Sequence, residues 1–190
     1  KAFSVSETDL VKLHKNLATH YRKKGDMARA IESLKKVAES DPGVLKGKLG
    51  LTLAEYYILN GNYDEAKSTL KEYLKANPTA PEALVMLGNL YAKGSEHDSA
   101  IKCYEESLKH NGQDHFVLFR LGILHEKKKD HKKAIELLQS AVALAPQEVK
   151  YLQHLGFIFE ALGDHANAVP YFKKVMELES EKMHLDAEAL

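Results

Sequence analysis

The amino-acid sequence predicts an all-α protein, a right-handed α-solenoid made of five repeated pairs of antiparallel helices. The main observation is a short pattern of two leucines and a glycine that recurs with Gly88, Gly122 and Gly156, each 34 residues from the next. A second observation is that Ala100, Ala134 and Ala168 repeat at the same spacing. A fixed period of this length is typical of two-helix units that stack to bury a continuous core.

Each repeat is predicted to contain a first helix, a tight turn and a second helix. One turn position per repeat follows from the period: Gly25, Gly61, Ser95, Lys129 and Gly163. Five residues later comes a small residue in each second helix: Ala30, Ala66, Ala100, Ala134 and Ala168. Four residues after that comes a large one: Leu34, Leu70, Tyr104, Leu138 and Phe172. Three repeats then close with a proline: Pro42, Pro78 and Pro146.

The repeated glycines need a physical reason, because glycine in a helix interior costs about 1 kcal/mol relative to alanine. We expect Gly88, Gly122 and Gly156 to lie buried where the first helix of a repeat meets the second. The turn glycines are expected to adopt the left-handed conformation that ends a helix. Four turn residues are predicted to cap the second helices: Asp26, Asn62, Asp130 and Asp164.

The form Leu-x-x-Leu-Gly-x-x-Tyr, followed by Ala-x-x-x-Phe and then Pro, resembles the tetratricopeptide repeat, with Leu in place of its usual Trp. The resemblance covers nearly the whole chain. Tetratricopeptide proteins as a class are protein-interaction scaffolds, so the resemblance implies binding of other proteins.

Two irregular junctions suggest how the repeats are grouped. Gly25 and Gly61 are 36 residues apart, so two residues are inserted around the segment DPGVLKG. Pro78 and Pro81 flank the junction between the second and third repeats, and both resist helix continuation. The chain is therefore expected to divide into an N-terminal part, 1–77, with repeats one and two, and a C-terminal part, 78–190, with repeats three to five and a C-terminal helix. A hinge at Asn77 to Pro81 and an ordinary repeat junction are both compatible with these prolines.

Composition excludes several classes of protein. Lys plus Arg and Asp plus Glu both total 27, so the net charge gives no reason to expect nucleic acid as a partner. The basic residues are concentrated near the start, with ten Lys and Arg against four Asp and Glu between Val11 and Gly50. No apolar run reaches the length of about 20 residues needed to cross a bilayer. The chain begins at Lys1, so we expect a native N-terminal segment to precede it.

Neither a metal site nor a catalytic site is predicted. His97, His131 and His165 share one repeat position, but neighbouring helices lie about 8–10 Å apart while Zn–N bonds are about 2 Å. Cys103 is the only cysteine and has no implied catalytic partners. Phosphate-binding loops and nucleophile motifs are missing as well, so we expect a protein without cofactor and without enzymatic activity.

Function is instead expected on the surface formed by the first helices, which line the concave side of such a stack. Aromatic residues beside cationic ones are typical of binding hot spots. The predicted protein-binding groove contains Asn89, Phe116, Phe119, Arg120, Lys150, His154 and Phe157. The alternative is that Phe116, Phe119 and Phe157 turn into the core between repeats.

A closer resemblance rests on details outside the repeat consensus: the segment KAFSVSETD before the first helix, and AVPYFKKVMELE with Pro170 inside a helix. In these the chain resembles the magnetosome-associated tetratricopeptide proteins of magnetotactic bacteria. That family implies a cytoplasmic scaffold, peripheral on the magnetosome membrane, that forms homo-oligomers and recruits other magnetosome proteins in biomineralization. It also implies that a further N-terminal repeat of one molecule docks in the concave groove of another, and that a hinge follows the second repeat.

Two other functions stay open. A co-chaperone that binds C-terminal carboxylates needs Lys and Asn at fixed inward positions, but Thr19 stands near Lys15 where Asn belongs, and Val85 replaces Lys near Asn89. A generic adaptor that binds peptide segments of a partner protein is also compatible with the repeats.

Overall fold

In the computed structural model of the protein, residues 7–188 are described, and their side chains from residue 9 to residue 183. Within that range the chain forms ten α-helices and one short 3-10 helix, and no strand. The all-α prediction is therefore confirmed. The helices are α1 (Glu7–Lys23), α2 (Met27–Ser40), α3 (Lys48–Leu59), α4 (Tyr63–Ala76), α5 (Pro81–Lys93), α6 (His97–His110), α7 (His115–Lys127), α8 (His131–Leu144), α9 (Val149–Ala161) and α10 (His165–Glu188), and the 3-10 helix is Pro42–Lys46.

The chain divides into two compact units, Lys1–Gly94 and Ser95–Leu190. In the first unit α1 packs on α2, α3 on α4, and α4 on α5. In the second unit α7 packs on α8 and α9 on α10, and contacts of α8 with α9 join these two pairs. Helix α6 contacts α7. The division falls inside the third repeat, later than the predicted junction after residue 77. The hinge at Asn77 to Pro81 stays a prediction.

The core follows the repeat positions predicted from the sequence. The small residues of the second helices are buried in all five repeats: Ala30, Ala66, Ala100, Ala134 and Ala168. Gly88, Gly122 and Gly156 are buried in the first helices, as predicted. A Cβ placed on Gly156 would lie 2.7 Å from Cε1 of Phe172, so a larger residue at this position would force the Phe172 ring to shift.

The three glycine turns have their predicted conformation. Gly25, Gly61 and Gly163 have φ angles of 77°, 82° and 74°, in the left-handed region. Ser95 and Lys129 occupy the same repeat position with φ angles of 60° and 62°. Because side chains with a Cβ disfavour this region, these two turns are strained relative to the three glycine turns.

Three of the four predicted caps are confirmed. The carboxylates of Asp26, Asp130 and Asp164 accept hydrogen bonds from backbone N–H groups three residues on. The prediction for Asn62 is wrong. Its side-chain oxygen accepts a hydrogen bond from the Asn60 amide at 2.6 Å, so a neighbouring side chain takes the place of the helix N–H.

The irregular first junction has a defined secondary structure. The inserted residues form the 3-10 helix Pro42–Lys46. The Asp41 carboxylate caps the start of this helix by accepting a hydrogen bond from the Gly43 N–H at 2.8 Å. At the other side of the second repeat, the Asn77 side-chain amide donates to the Lys46 carbonyl at 2.7 Å and to the Tyr73 carbonyl at 3.0 Å. Asn77 therefore ties the end of α4 to the inserted segment.

Candidate interaction groove

The candidate groove lies on α7 and α9, the first helices of the fourth and fifth repeats. Phe116 and Lys150 occupy equivalent positions of the two repeats, as do Arg120 and His154, because each pair is 34 residues apart. Successive repeats stack in register, so equivalent positions become neighbours on adjacent first helices. Both helices belong to the second compact unit.

Arg120 is held over an aromatic ring on its own helix. Its guanidinium carbon lies 4.7 Å from the ring centroid of Phe116, one helical turn earlier. Both side chains are exposed, with 37% of Phe116 accessible. A guanidinium stacked on an aromatic face keeps its outer N–H groups directed at solvent, so Arg120 offers a partly ordered cation to a ligand.

Phe119 lies in the core and not on the exposed surface of the groove, which is the alternative that the sequence left open for it. It is only 4% exposed and belongs to the core, where its ring stacks on Tyr151 with centroids 4.4 Å apart. The Nζ of Lys150 lies 5.6 Å from the Phe119 centroid, and the His154 ring meets Phe119 edge-on at 5.2 Å. Phe119 therefore forms the floor on which two polar groove residues rest.

His154 is the half-buried polar group of this surface. Burial lowers its pKa below the ordinary value, and the positive charge of Lys150 acts in the same direction. Glu126 acts the opposite way, with its carboxylate oxygen 4.0 Å from Nδ1 of His154. At neutral pH the ring is thus mainly uncharged and can both donate and accept a hydrogen bond.

Three residues of this surface were not predicted. Nδ1 of His115 lies 3.0 Å from the Tyr151 hydroxyl oxygen, which links the start of α7 to α9. The Asp114 carboxylate caps α7 by accepting from the N–H groups of Phe116 and Val117. Tyr151 shares its repeat position with Ala83 and Val117, so the sequence signal was an unusually large residue at a core position.

Charges of both signs surround the floor of the groove. Burial raises the pKa of Tyr151, with smaller contributions in the same direction from Glu148 and Asp114, and Arg120 acts against them. The two carboxylates belong to the residues that directly precede α7 and α9, so they lie where these helices begin. Arg120 and Lys150 supply positive charge over the exposed part of the surface.

Phe157 and Asn89 are the two remaining predicted members of the groove. Phe157 is 58% exposed, and its ring contacts Phe172 of α10 with centroids 5.4 Å apart. Asn89 is half-buried on α5, in the other compact unit. The structure thus brings together Phe116, Phe119, Arg120, Lys150 and His154, while the membership of Asn89 and Phe157 stays a prediction.

The histidines that share a repeat position begin successive second helices. His97, His131 and His165 are the first residues of α6, α8 and α10. Nowhere in the part of the chain with described side chains do three or more His, Cys, Asp or Glu side chains form a group able to hold a metal ion. Of the helices that the structure describes, none is both long enough and apolar enough to cross a membrane.

Family models and solved structures resemble the chain over most of its length. The model for the tetratricopeptide repeat protein 21 C-terminal ARM domain matches residues 4–153, and a tetratricopeptide repeat model matches residues 149–182. A comparison with curated proteins gives no match.

The similar solved structures include several MamA proteins. One MamA crystal structure is 27% identical, with a TM-score of 0.84 over 93% of this chain and 96% of that one. A second is 28% identical, with a TM-score of 0.83 over 88% and 97%. MamA "41-end" from Desulfovibrio magneticus RS-1 is 30% identical, with a TM-score of 0.81 over 91% and 97%. The chain therefore belongs to the tetratricopeptide-repeat proteins and, within them, to the MamA family.

Proposed function

We propose that this protein is a non-enzymatic scaffold that assembles with copies of itself, coats magnetosome vesicles as a peripheral protein and recruits other magnetosome proteins. The observation that carries the proposal is the 30% identity to a MamA protein across 91% of the chain. A cytoplasmic location on the vesicle surface belongs to the same proposal.

The groove on α7 and α9 supports a role in binding a polypeptide segment. Phe116 offers exposed aromatic area, and Arg120 stacked on it offers an ordered cation. Lys150 and His154 contact the buried Phe119 ring, which restrains both side chains. Aromatic anchors beside preorganised cations favour an amphipathic segment with apolar side chains and carboxylates.

The occupant proposed for this groove is a segment that precedes residue 1 in another copy of the protein. Docking a segment of one copy into the groove of the next is a head-to-tail contact. Head-to-tail contacts build open assemblies that grow by adding copies, unless the rotation between successive copies closes a ring. A coat on a vesicle is an assembly of that kind.

The proposal is tested by fractionating magnetosome-forming cells that express the full-length protein. We expect the wild-type protein to sediment with magnetosome vesicles and to be released by treatments that leave integral proteins in place. Arg120→Glu should shift at least half of the protein to the soluble fraction, because it inverts the charge of the groove.

Lys132→Glu makes the same change of charge on the exposed surface of α8, outside the groove, and serves as the matched control. If wild-type protein does not sediment with the vesicles, the magnetosome proposal is wrong, and a generic adaptor or co-chaperone that binds peptide segments becomes the better account.

A further inference from the structure

The last helix of the chain is longer than its repeat requires. α10 has 24 residues, whereas the second helices of the first four repeats, α2, α4, α6 and α8, each have 14. At 1.5 Å per residue the additional ten residues extend the helix by about 15 Å. Its partner α9 has 13 residues, so it is too short to cover this extension. Residues 179–183 are all exposed.

One face of α10 carries a regular series of exposed apolar side chains. Val169, Met176 and Met183 are spaced by seven residues and are 46%, 70% and 71% exposed. The face toward the core is a different one, since Ala168 and Val175 are 1% and 6% exposed. Apolar residues at a spacing of seven keep one face turned toward a partner helix, as in coiled coils.

The apolar series continues onto the neighbouring helix. Phe172 lies three residues after Val169 and four before Met176, so it is adjacent to both on the helix surface. Its ring packs against the exposed Phe157 of α9. The partner of this face therefore meets a strip of aliphatic and aromatic side chains rather than single exposed residues.

Charge on α10 is divided on either side of Met176. Lys173 and Lys174 precede it, whereas Glu177, Glu179 and Glu181 follow it together with Lys182. The N-terminal side thus carries two positive charges and the C-terminal side a net charge of minus two. Among described residues, Lys174 and Glu177 form an ion pair within the helix at 3.2 Å, while no ion pair is found for Lys173, Glu179 or Glu181.

We propose that α10 pairs with α10 of a second copy in an antiparallel two-fold arrangement centred on Met176. A two-fold contact needs a surface that is complementary to itself. About Met176 the apolar series is symmetric and the charge is opposite, which is the pattern that antiparallel pairing requires. Met176 then meets Met176 of the second copy, and Met183 meets Val169.

Antiparallel pairing also accounts for the length of the helix. The extended C-terminal part of each α10 lies along the N-terminal half of the other, so the exposed Met183 covers the partner's strip around Val169. The basic side of each helix then lies beside the acidic side of the other, and the two helix dipoles oppose each other favourably. A parallel pair would place like charges together. This inference does not rest on the proposed groove. Of the residues predicted for the groove only Phe157 contacts this face, and α7 and the residues before α1 take no part in it.

Sedimentation equilibrium of the chain of residues 1–190 tests the inference. We expect a monomer–dimer equilibrium for the wild-type chain, and Met176→Lys should weaken dimerisation at least about tenfold. Helicity should be unchanged, because position 176 is exposed. Leu144→Lys, at an exposed leucine of α8, is the matched control and should dimerise like the wild type.

Exchanging the charges tests whether α10 pairs with itself through charge complementarity. Lys173→Glu with Lys174→Glu makes the helix acidic on both sides, and Glu179→Lys with Glu181→Lys makes it basic. Each double variant alone should be monomeric, and an equal mixture should form a heterodimer. Dimerisation of either double variant alone as strongly as the wild type would overturn the proposal.

Disulfide trapping tests the register. In a Cys103→Ser background, mixing Val169→Cys protein with Met183→Cys protein should give the mixed disulfide, because these positions meet only in the antiparallel pair. Exclusive formation of the two homodimeric disulfides would rule out the antiparallel arrangement. A wild-type chain that stays monomeric at every soluble concentration, or a dimer that Met176→Lys leaves intact, would overturn the proposal as a whole. Arg120→Glu should leave this dimer unchanged, so failure of the groove and failure of this interface are distinguishable.

Discussion

Gly122 on α7 lies so close to Leu138 on α8 that a Cβ at position 122 would be 2.7 Å from Cγ of Leu138. Leu138 has no exposed surface and cannot move aside without displacing its neighbours. We therefore expect Gly122→Leu to overpack this helix pair and to lower the free energy of unfolding by about 1–3 kcal/mol. The measurement is the urea midpoint, with the slope of the transition checked for two-state behaviour.

The control for this substitution places the same side chain on the surface. Ala143→Leu adds leucine at an exposed position of α8 and should leave the midpoint nearly unchanged. If Gly122→Leu shifts the midpoint no more than Ala143→Leu does, close packing is not the reason for the glycine.

The turn between α7 and α8 is predicted to gain stability from glycine. Lys129 has a φ of 62°, where a residue with a Cβ costs about 1–2 kcal/mol, while the equivalent turns use glycine. Part of this gain is lost because glycine also makes the unfolded chain more flexible. Lys129→Gly should therefore raise the free energy of unfolding by about 1 kcal/mol.

Lys127→Gly removes the same side chain and the same charge two residues earlier, at the last residue of α7. It should destabilise the protein, by less than the cost of about 1 kcal/mol for glycine in a helix interior, because this residue ends the helix. Equal effects of the two substitutions would show that loss of the lysine, and not the φ angle, controls the result.

Two histidines are predicted to titrate on opposite sides of the ordinary value. The hydrogen bond from His165 to the Glu160 carboxylate, 2.9 Å long, raises the pKa of His165. Burial lowers the pKa of His154. An NMR titration of the ring protons should give the lower pKa for His154. Glu160→Gln should bring the pKa of His165 down, while Glu148→Gln, at an exposed residue, should not; an unchanged His165 pKa in Glu160→Gln would contradict the assignment.

The direction of each pKa shift gives the sign of that histidine's contribution to the pH dependence of stability. The unfolded chain binds a proton at His154 more readily than the folded protein does, so this residue destabilises the fold as pH falls below about 6.5. His165 acts oppositely, because its stabilising contribution is present at low pH and is lost as pH rises through its raised pKa. His154→Gln should therefore reduce the loss of stability between neutral and mildly acidic pH, measured by urea unfolding at each pH. A loss as large as that of the wild type would rule out His154 as its source.

Much of the fold was predictable from the sequence, because each repeat must satisfy the same local conditions as the others. Small residues such as Ala134 and Gly122 recur where helices touch, and turn residues such as Gly25 recur where φ is positive. The period carries these requirements from one repeat to the next, so even the strained Lys129 turn was found at its expected position.

The groove was less predictable, because it depends on contacts between side chains of different repeats. Phe119 is buried because Tyr151 stacks on it, and nothing in the spacing of α7 residues indicates that contact. Asn62 does not cap α4 because Asn60 occupies its oxygen. The sequence predicts a C-terminal helix after the fifth repeat. Periodicity alone does not show that this helix continues the second helix of that repeat without a break, as α10 does.

The central claim is that copies of this protein assemble through the groove on α7 and α9. Sedimentation velocity of three proteins at equal concentration tests it most directly: the chain of residues 1–190, the same protein with its native N-terminal segment, and that longer protein with Arg120→Glu. We predict that the chain of residues 1–190 forms nothing larger than a dimer, that the longer protein forms large assemblies, and that Arg120→Glu reduces them with helicity unchanged. A longer protein that stays as small as the chain of residues 1–190, or large assemblies that Arg120→Glu leaves intact, would contradict the claim.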